Sequence, residues 1–296
     1  MSTLLNVLVV GILLGGIYGL VSIGLNLIFG VIRVVHFAHG ELVMLGMYGA
    51  FLAYSLLGLD PYLSIALVLP ALFVFGLIIQ RLIIQPLQSE SMMQMFATFA
   101  LLTILQNVVL AITRGEGYSV PTKVAALGVE LGDIRVSATR LIILVAVTAI
   151  AVALHFFLQR TLIGKSIRAV TQDRQAARLM GINVERTFMV TFGIGAALAG
   201  LAGVLIAPIY TLSPGIGGNF ILAAFAVVVL GGLGSVAGAY FGGMIVGIVE
   251  AFAGYYVDPE LKQAIWFLIF LAVLVIRPTG LFGQVGAEEI GFREQS

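Results

Sequence analysis

His36 and His39 stand three residues apart in the stretch Arg33-Val34-Val35-His36-Phe37-Ala38-His39-Gly40-Glu41, and a carboxylate closes it. Two imidazoles and a carboxylate at that spacing are the raw material of a metal site or a proton relay. A metal site needs a third and a fourth ligand, and the remaining histidine, His155, falls near the end of a different apolar run. The stretch therefore reads as a structural turn between membrane spans, near the transport path, with polar side chains bonding backbone groups that the break in the helix sets free. Asn26, inside the preceding apolar run, poses the same choice. Its amide either hydrogen-bonds across helices or faces a substrate path, and the first is the simpler reading. Glu250 is the other carboxylate within an apolar segment, where a proton- or sodium-coupled carrier would need one. It lies eight residues before Asp258, within reach of a membrane surface.

Other candidate chemistry is thinner. Gly164-Lys165-Ser166 imitates the end of a phosphate-binding loop, but Gln159 stands where the first glycine belongs and the preceding segment is no strand. The chain holds no GxSxG element, no HExxH and no paired intramembrane aspartates for a hydrolase. It has no cysteine, which removes disulfides and thiolate metal sites. No catalytic, cofactor-binding or metal-binding residue is expected.

The elements that must position these residues are set by the bilayer. Of 296 residues, 60% are hydrophobic and 10% charged, whereas a soluble domain carries about 25% charge. The composition predicts an all-α, polytopic integral membrane protein. Net charge +1, with no basic patch beyond the loops, argues against nucleic acid as a partner. The N-terminus lacks a basic n-region and a clear cleavage motif, so its apolar run reads as a retained first span. At about 20 apolar residues per crossing, segments fall near 4–29, 41–58, 62–84, 92–113, 139–158, 187–208, 219–256 and 261–277. The run 219–256 is long enough to cross twice with a tight turn near Gly231 to Gly234, giving about eight to nine membrane segments. Small residues recur every four positions at Gly195, Ala199 and Gly203, and again at Gly234, Gly238 and Gly242, with Gly243 and Gly247 alongside. Such stripes let helices approach closely within one subunit. No internal repeat is visible.

One long polar island interrupts the apolar pattern. Residues 160–186 hold six of the fifteen Lys and Arg (Arg160, Lys165, Arg168, Arg174, Arg178, Arg186) against Asp173 and Glu185. A basic surplus in a short loop marks the cytoplasmic side. Arg33, Arg81, the Gln85-Pro86 break and the Arg277-Pro278 stop with its polar tail are expected on that side too. The loop 114–138 faces the opposite side, its bases nearly offset by Glu116, Glu130 and Asp133, with irregular structure or a short hairpin. An odd number of crossings then gives an external N-terminus and an internal C-terminus. Within the island, Asp173 caps a short helix from Arg174 to Met180, Gly181 supplies the permissive position that ends it, and Arg178 suits its negative end. Small Ala176 and Ala177 would seat it in a partner's groove, with Arg168, Arg174 and Arg178 pairing acids at the rim.

Two blocks resemble a known family. Leu25 to Glu41, LNLIFGVIRVVHFAHGE, is similar to the signature near the first spans of the branched-chain amino acid ABC importer permeases of LivH type. Position 36 departs from that signature, since the family usually has Asn there. Gly164-Lys165-Ser166-Ile167-Arg168-Ala169-Val170 through Ile182 resembles the family's ATPase-contacting region. Gln175-Ala176-Ala177 followed by Gly181 matches the EAA-x-x-x-G pattern with Gln for Glu. The resemblance implies a single transmembrane permease domain over 1–296 with an ATPase-coupling loop at 160–186, in the inner (plasma) membrane. It further implies a second related permease subunit, two cytoplasmic ABC ATPases that bind the ATP, and a periplasmic solute-binding protein. Branched-chain amino acids are the implied cargo. A urea or short-chain amide permease is the alternative within the class, and a proton-coupled secondary carrier the alternative outside it.

Overall fold

The computed structural model describes residues 2–126, 128–131, 134–277 and 279–283. Apolar runs become helices because a bilayer offers no water to a backbone amide and a helix satisfies its own. The first half of the chain forms α1 (Ser2–Ile32), α2 (His39–Leu57), α3 (Ile65–Ile79) and α4 (Ser91–Thr113). A short antiparallel hairpin, β1 (Gly128–Leu131) with β2 (Ile134–Ser137), leads into α5 (Ala138–Arg160). Then come α6 (Leu162–Gln172), α7 (Arg174–Leu179), α8 (Val184–Ile206), α9 (Ile216–Gly231), α10 (Val236–Tyr256) and α11 (Lys262–Ile276). Seven of the described helices are long and apolar enough to cross a membrane, while α9 and α11 are shorter apolar helices.

That pattern agrees with the expected eight to nine segments. The run 219–256 is divided at the expected place, where Gly232 (φ 102°) and Gly234 (φ 83°) take left-handed conformations that a side chain would resist. Beyond Ile79, α3 widens into a π-helical stretch at Gln80–Ile84 and tightens into a 3-10 turn at Gln85–Leu87, where Pro86 ends it. Asp133, Pro278 and the tail beyond 283 lie outside the described residues.

The core is organised around α1, which packs against α10, α8, α9 and α5. Against α10 the contact is backbone on backbone: a Cβ on Gly15 would meet Gly243 and Met244, and one on Gly247 would overlap Gly15 and Gly11. On α8, Gly195 faces Gly24 and Ile28 of α1, and Gly203 faces the Val43 to Met47 turn of α2. The four-residue stripes are thus spent on packing inside the chain, where close approach gains dispersion contacts.

The loops sort into two ends. At one, Arg174 reaches the last turn of α1, Gly234 abuts Gly30, Arg81, Gln85 and Gln88 line an open hollow with Asn183, Glu185, Arg186 and Met189, and Leu281 donates its N–H to Leu230 at 2.8 Å. At the other, Thr122 Oγ1 donates to Asp60 at 3.0 Å and Tyr118 pairs with Leu212. Nine of the fifteen Lys and Arg belong to segments of the first end: Arg33, Arg81, Arg160, Lys165, Arg168, Arg174, Arg178, Arg186 and Arg277.

Candidate functional site

After Ile32 the chain reverses at Arg33, a non-glycine residue in the left-handed region (φ 62°). Residues 34–38 then run back along α1 into the bundle. A non-helical limb inside a membrane must find partners for its backbone, and Thr98 of α4 serves two of its groups while the His36 and Ala38 carbonyls accept from the His39 and Leu42 N–H groups. The Thr98 hydroxyl donates to the Val35 carbonyl at 3.1 Å and accepts from the Phe37 N–H at 3.4 Å. The α2 helix starts deep: His39 Nε2 lies 3.1 Å from the Val21 carbonyl. Val21 precedes the end of α1 at Ile32 by eleven residues, which is roughly 16 Å along the axis, close to half the hydrocarbon thickness.

The mirror-image event happens from the other end. Past α8 the chain turns at Ala207, pairs at Leu212 with Tyr118, and dips inward to begin α9 at Ile216. Gly217 packs against Gly40 so closely that a Cβ on either would overlap the other's backbone, and such a Cβ on Gly217 would sit 2.9 Å from Glu41 Oε1. The first turns of α2 and α9 therefore meet at mid-depth, one fed from each side. Broken helices related in this way are a recurrent transporter device, and no sequence repeat announced it.

The sequence-predicted residues fall into three conditions. Asn26 is fully used: its amide donates to the Gly232 and Ser235 carbonyls at 3.2 and 2.7 Å and accepts from the Gly234 N–H at 2.5 Å. It pins the α9 to α10 turn to α1, as the cross-helix reading expects. His36 and His39 are fully buried, edge to face at 5.9 Å, with His36 against Phe192 at 4.9 Å. No group of three potential metal ligands exists among the described residues. Glu41 is 2% exposed, and its Oε2 has no hydrogen-bond partner. Glu250 differs sharply: it accepts from Tyr18 at 2.7 Å and pairs with Lys262 at 3.2 Å, toward the end where α11 begins.

The polar island folds into two helices at a corner. Thr161 Oγ1 caps α6 by accepting from the Gly164 N–H at 3.0 Å. Gly164 is buried against the backbone of Phe157 and Leu158, so this glycine serves the corner and not a phosphate. Asp173 caps α7 as expected, accepting from Gln175 and Ala176 N–H groups at 2.8 and 2.9 Å. Gly181 (φ 82°) ends it, its N–H donating to Arg178 while Ile182 N–H donates to Ala177, each at 3.0 Å. These paired bonds are the Schellman closure.

Three expectations about this helix need correction. Ala177 does not face outward: it is 4% exposed and belongs to the chain's own core, while Ala176 is exposed. Arg174 is no rim residue, since its guanidinium donates to the Ile32 carbonyl at 3.0 Å and lies 5.0 Å from the Phe188 ring centre. Arg178 pairs with Glu185 at 3.1 Å within the chain, an exposed pair of small energetic weight. The helix also ends one residue earlier than expected, at Leu179. Two outward residues escaped the sequence reading: Leu179 is 88% and Met180 82% exposed, whereas Arg168, expected at the rim, is exposed on α6. A signal existed, because on a 100° per residue helix, burying Ala177 turns Leu179 to the far side.

Comparison with known proteins matches residues 7–274 to the family described as branched-chain amino acid transport system / permease component. The chain belongs to this family. BraD of Pseudomonas aeruginosa, a high-affinity branched-chain amino acid transport system permease protein, is 32% identical, covering 97% of this chain and 98% of its own. The LivH permease of the corresponding system in Escherichia coli K12 is 32% identical over 95% and 96%. A probable LivH of Methanocaldococcus jannaschii is 31% identical over 89% and 88%. Among solved structures, PsaBC from Streptococcus pneumoniae in complex with Fab aligns with a TM-score of 0.47 at 16% identity, covering 93% of this chain and 91% of that one. As a branched-chain amino acid permease-family member, the chain is a multi-pass membrane transport component, and ATP hydrolysis in such systems belongs to separate subunits.

Proposed function

We propose that this chain is a membrane-spanning permease subunit of an ATP-driven importer of branched-chain amino acids in the inner membrane. The observation that carries the reading is full-length similarity to permeases of that cargo, joined to a capped, exposed helix pair on the most basic end of the bundle. The relatives favour amino acids over urea or short amides. By the positive-inside rule the basic end is cytoplasmic, which puts the N-terminus outside.

Residues 1–296 form one permease unit that pairs with a second, related permease, two cytoplasmic ATPases and a periplasmic binding protein. ATP is bound by the ATPases and by no residue of this subunit. The coupling element is 160–186, in a corrected form: Leu179 and Met180 enter the partner's groove, Ala176 and Arg168 flank them, and Asp173, Gly181, Ala177, Arg174 and Arg178 hold the helix in shape. Because Arg174 ties α7 to the end of α1, movement of an ATPase reaches the broken helices through one rigid rod.

The test is to reconstitute this chain with its co-encoded partners in proteoliposomes and follow labelled leucine, isoleucine and valine. ATP-dependent uptake that requires the binding protein supports the reading. Uptake by the single chain without ATP, driven by a proton gradient, would replace it with a secondary carrier.

A further inference from the structure

Near the middle of the bilayer the exposed sides of the bundle differ in kind. α3 turns out Val74 and Ile78, and α5 turns out Val145 and Val152, all between 46% and 68% exposed. Lipid tails are as apolar as these side chains and cover them well. α4 and α9 turn out amides instead. Leu102 is the midpoint of α4; Thr103 adjoins it, and Gln106 and Asn107 lie about 6 to 8 Å beyond it, inside a hydrocarbon half-thickness of about 15 Å. Asn219 stands in the first turn of α9, which begins at mid-depth. Asn107 is exposed and donates one N–H to the Thr103 carbonyl at 2.8 Å. Gln106, half-buried, and Asn219, exposed, make no hydrogen bond among the described residues.

These groups flank one trough. Phe99, Thr103 and Asn107 follow at four-residue spacing and form a ridge along α4. Gly218, Leu222 and Phe225 form the facing ridge on α9, with Asn219 beside Gly218 on the exposed side. Half-buried Phe37 is the floor between them, its ring 6.3 Å from that of Phe99 and 5.6 Å from that of Phe225. Further along, a Cβ on Gly215 would lie 3.5 Å from the Gln106 amide nitrogen, so α4 and α9 border the trough in opposite directions. Gly218 keeps the α9 wall low, since a Cβ there would meet nothing within 4 Å.

Lipid tails offer an amide no hydrogen bond, and an amide left in hydrocarbon destabilises the arrangement that exposes it. The trough therefore needs a cover that brings polar groups to mid-depth. Of the partners in the reading above, the ATPases lie in the cytoplasm and the binding protein in the periplasm; the second permease alone enters the bilayer. We propose that the trough between α4 and α9 is where the second permease seats, with one of its helices laid over Phe37 and hydrogen-bonded to Gln106, Asn107 and Asn219. Glycine at 218 admits that helix, and side-chain bonds across helices are a recurrent means of association in membranes. The inference rests on the importer reading and adds to it the face on which the two permeases meet.

The experiment expresses this chain with its co-encoded partners and purifies the complex by a tag on this chain. Gly218→Trp fills the trough where the chain itself has nothing to hit, so the yield of this chain is expected to stay normal while the second permease is lost. Val152→Trp, equal bulk on the apolar side of α5, is expected to retain it. In Asn107→Cys, the sole cysteine of the chain, a photoreactive maleimide is expected to capture the second permease, identified by mass. Full retention of the second permease in Gly218→Trp overturns the proposal, as does equal loss in both tryptophan variants. Capture of lipid alone, or of a second copy of this chain, from position 107 overturns it too, and this arm decides even where Gly218→Trp does not fold. If the unaltered chain brings down no second permease, the importer reading falls first, and the two failures remain distinct.

Discussion

Arg174, the first residue of α7, donates from its guanidinium to the carbonyl of Ile32, the last residue of α1, at 3.0 Å. The contact joins the polar island to the helix at the centre of the bundle, and it places a cation at the negative end of that helix. Replacing Arg174 with Ala is expected to lower stability by about 1.5 kcal/mol, the usual scale for a hydrogen bond from a charged group. Lysine should restore part of it by keeping the charge. Melting of the purified protein reads the first effect, and ATP-dependent uptake reads the loss of mechanical connection; equal melting temperatures for all three proteins would refute the tie.

Ala177 and Leu179 sit two residues apart with opposite fates, and their substitutions should separate cleanly. Ala177→Glu puts an unpaired charge into the core, so folded yield should drop. Leu179→Asp changes a side chain that touches solvent, with an intrinsic stability effect within about 0.5 kcal/mol. It should spare yield and abolish co-purification of the ATPase. Full ATPase association in Leu179→Asp would remove Leu179 from the docking surface.

Asn26 makes three bonds to one turn. Asn26→Leu removes three bonds and leaves the Gly234 N–H unpaired, while the Gly232 and Ser235 carbonyls keep the Ser235 and Ala239 N–H groups, for an expected loss of about 2 kcal/mol. The change should appear as a lower apparent Tm in detergent and as faster proteolysis at the 232–235 turn. A variant as stable as the parent would mean that water replaces the amide without cost.

The natural chain has no cysteine, so single cysteines at Ser166 and Ser119 report orientation directly. Position 119 should react with a membrane-impermeant maleimide in spheroplasts, and position 166 only after permeabilisation. The reverse pattern would invert the assignment of ends.

Much of this architecture was legible because the bilayer imposes a coarse grammar. Apolar run length located the helices, and the Gly231 to Gly234 signal divided one long run correctly. The Asp173 cap and Gly181 stop were readable because both act on the nearest few residues. What escaped was tertiary. Nothing near Arg33 says that the next five residues dive back along α1, because the enabling hydroxyl is Thr98, more than sixty residues on. The depth at which α9 begins is set by Gly40 on another helix. Ala177 was assigned outward because smallness suits a groove and a core alike, and only the packing of α7 on its neighbours decides between them.

The clasp at Asn26 also bears on how the protein is made. Its partners are synthesised 206 to 209 residues later, which at ordinary translation rates means roughly 10 to 40 seconds. Through that interval the first helix sits in the membrane with an unattended amide. A newborn chain in this state is a natural client for any insertion factor that shelters polar groups, and release from it would be timed by arrival of the α9 to α10 hairpin.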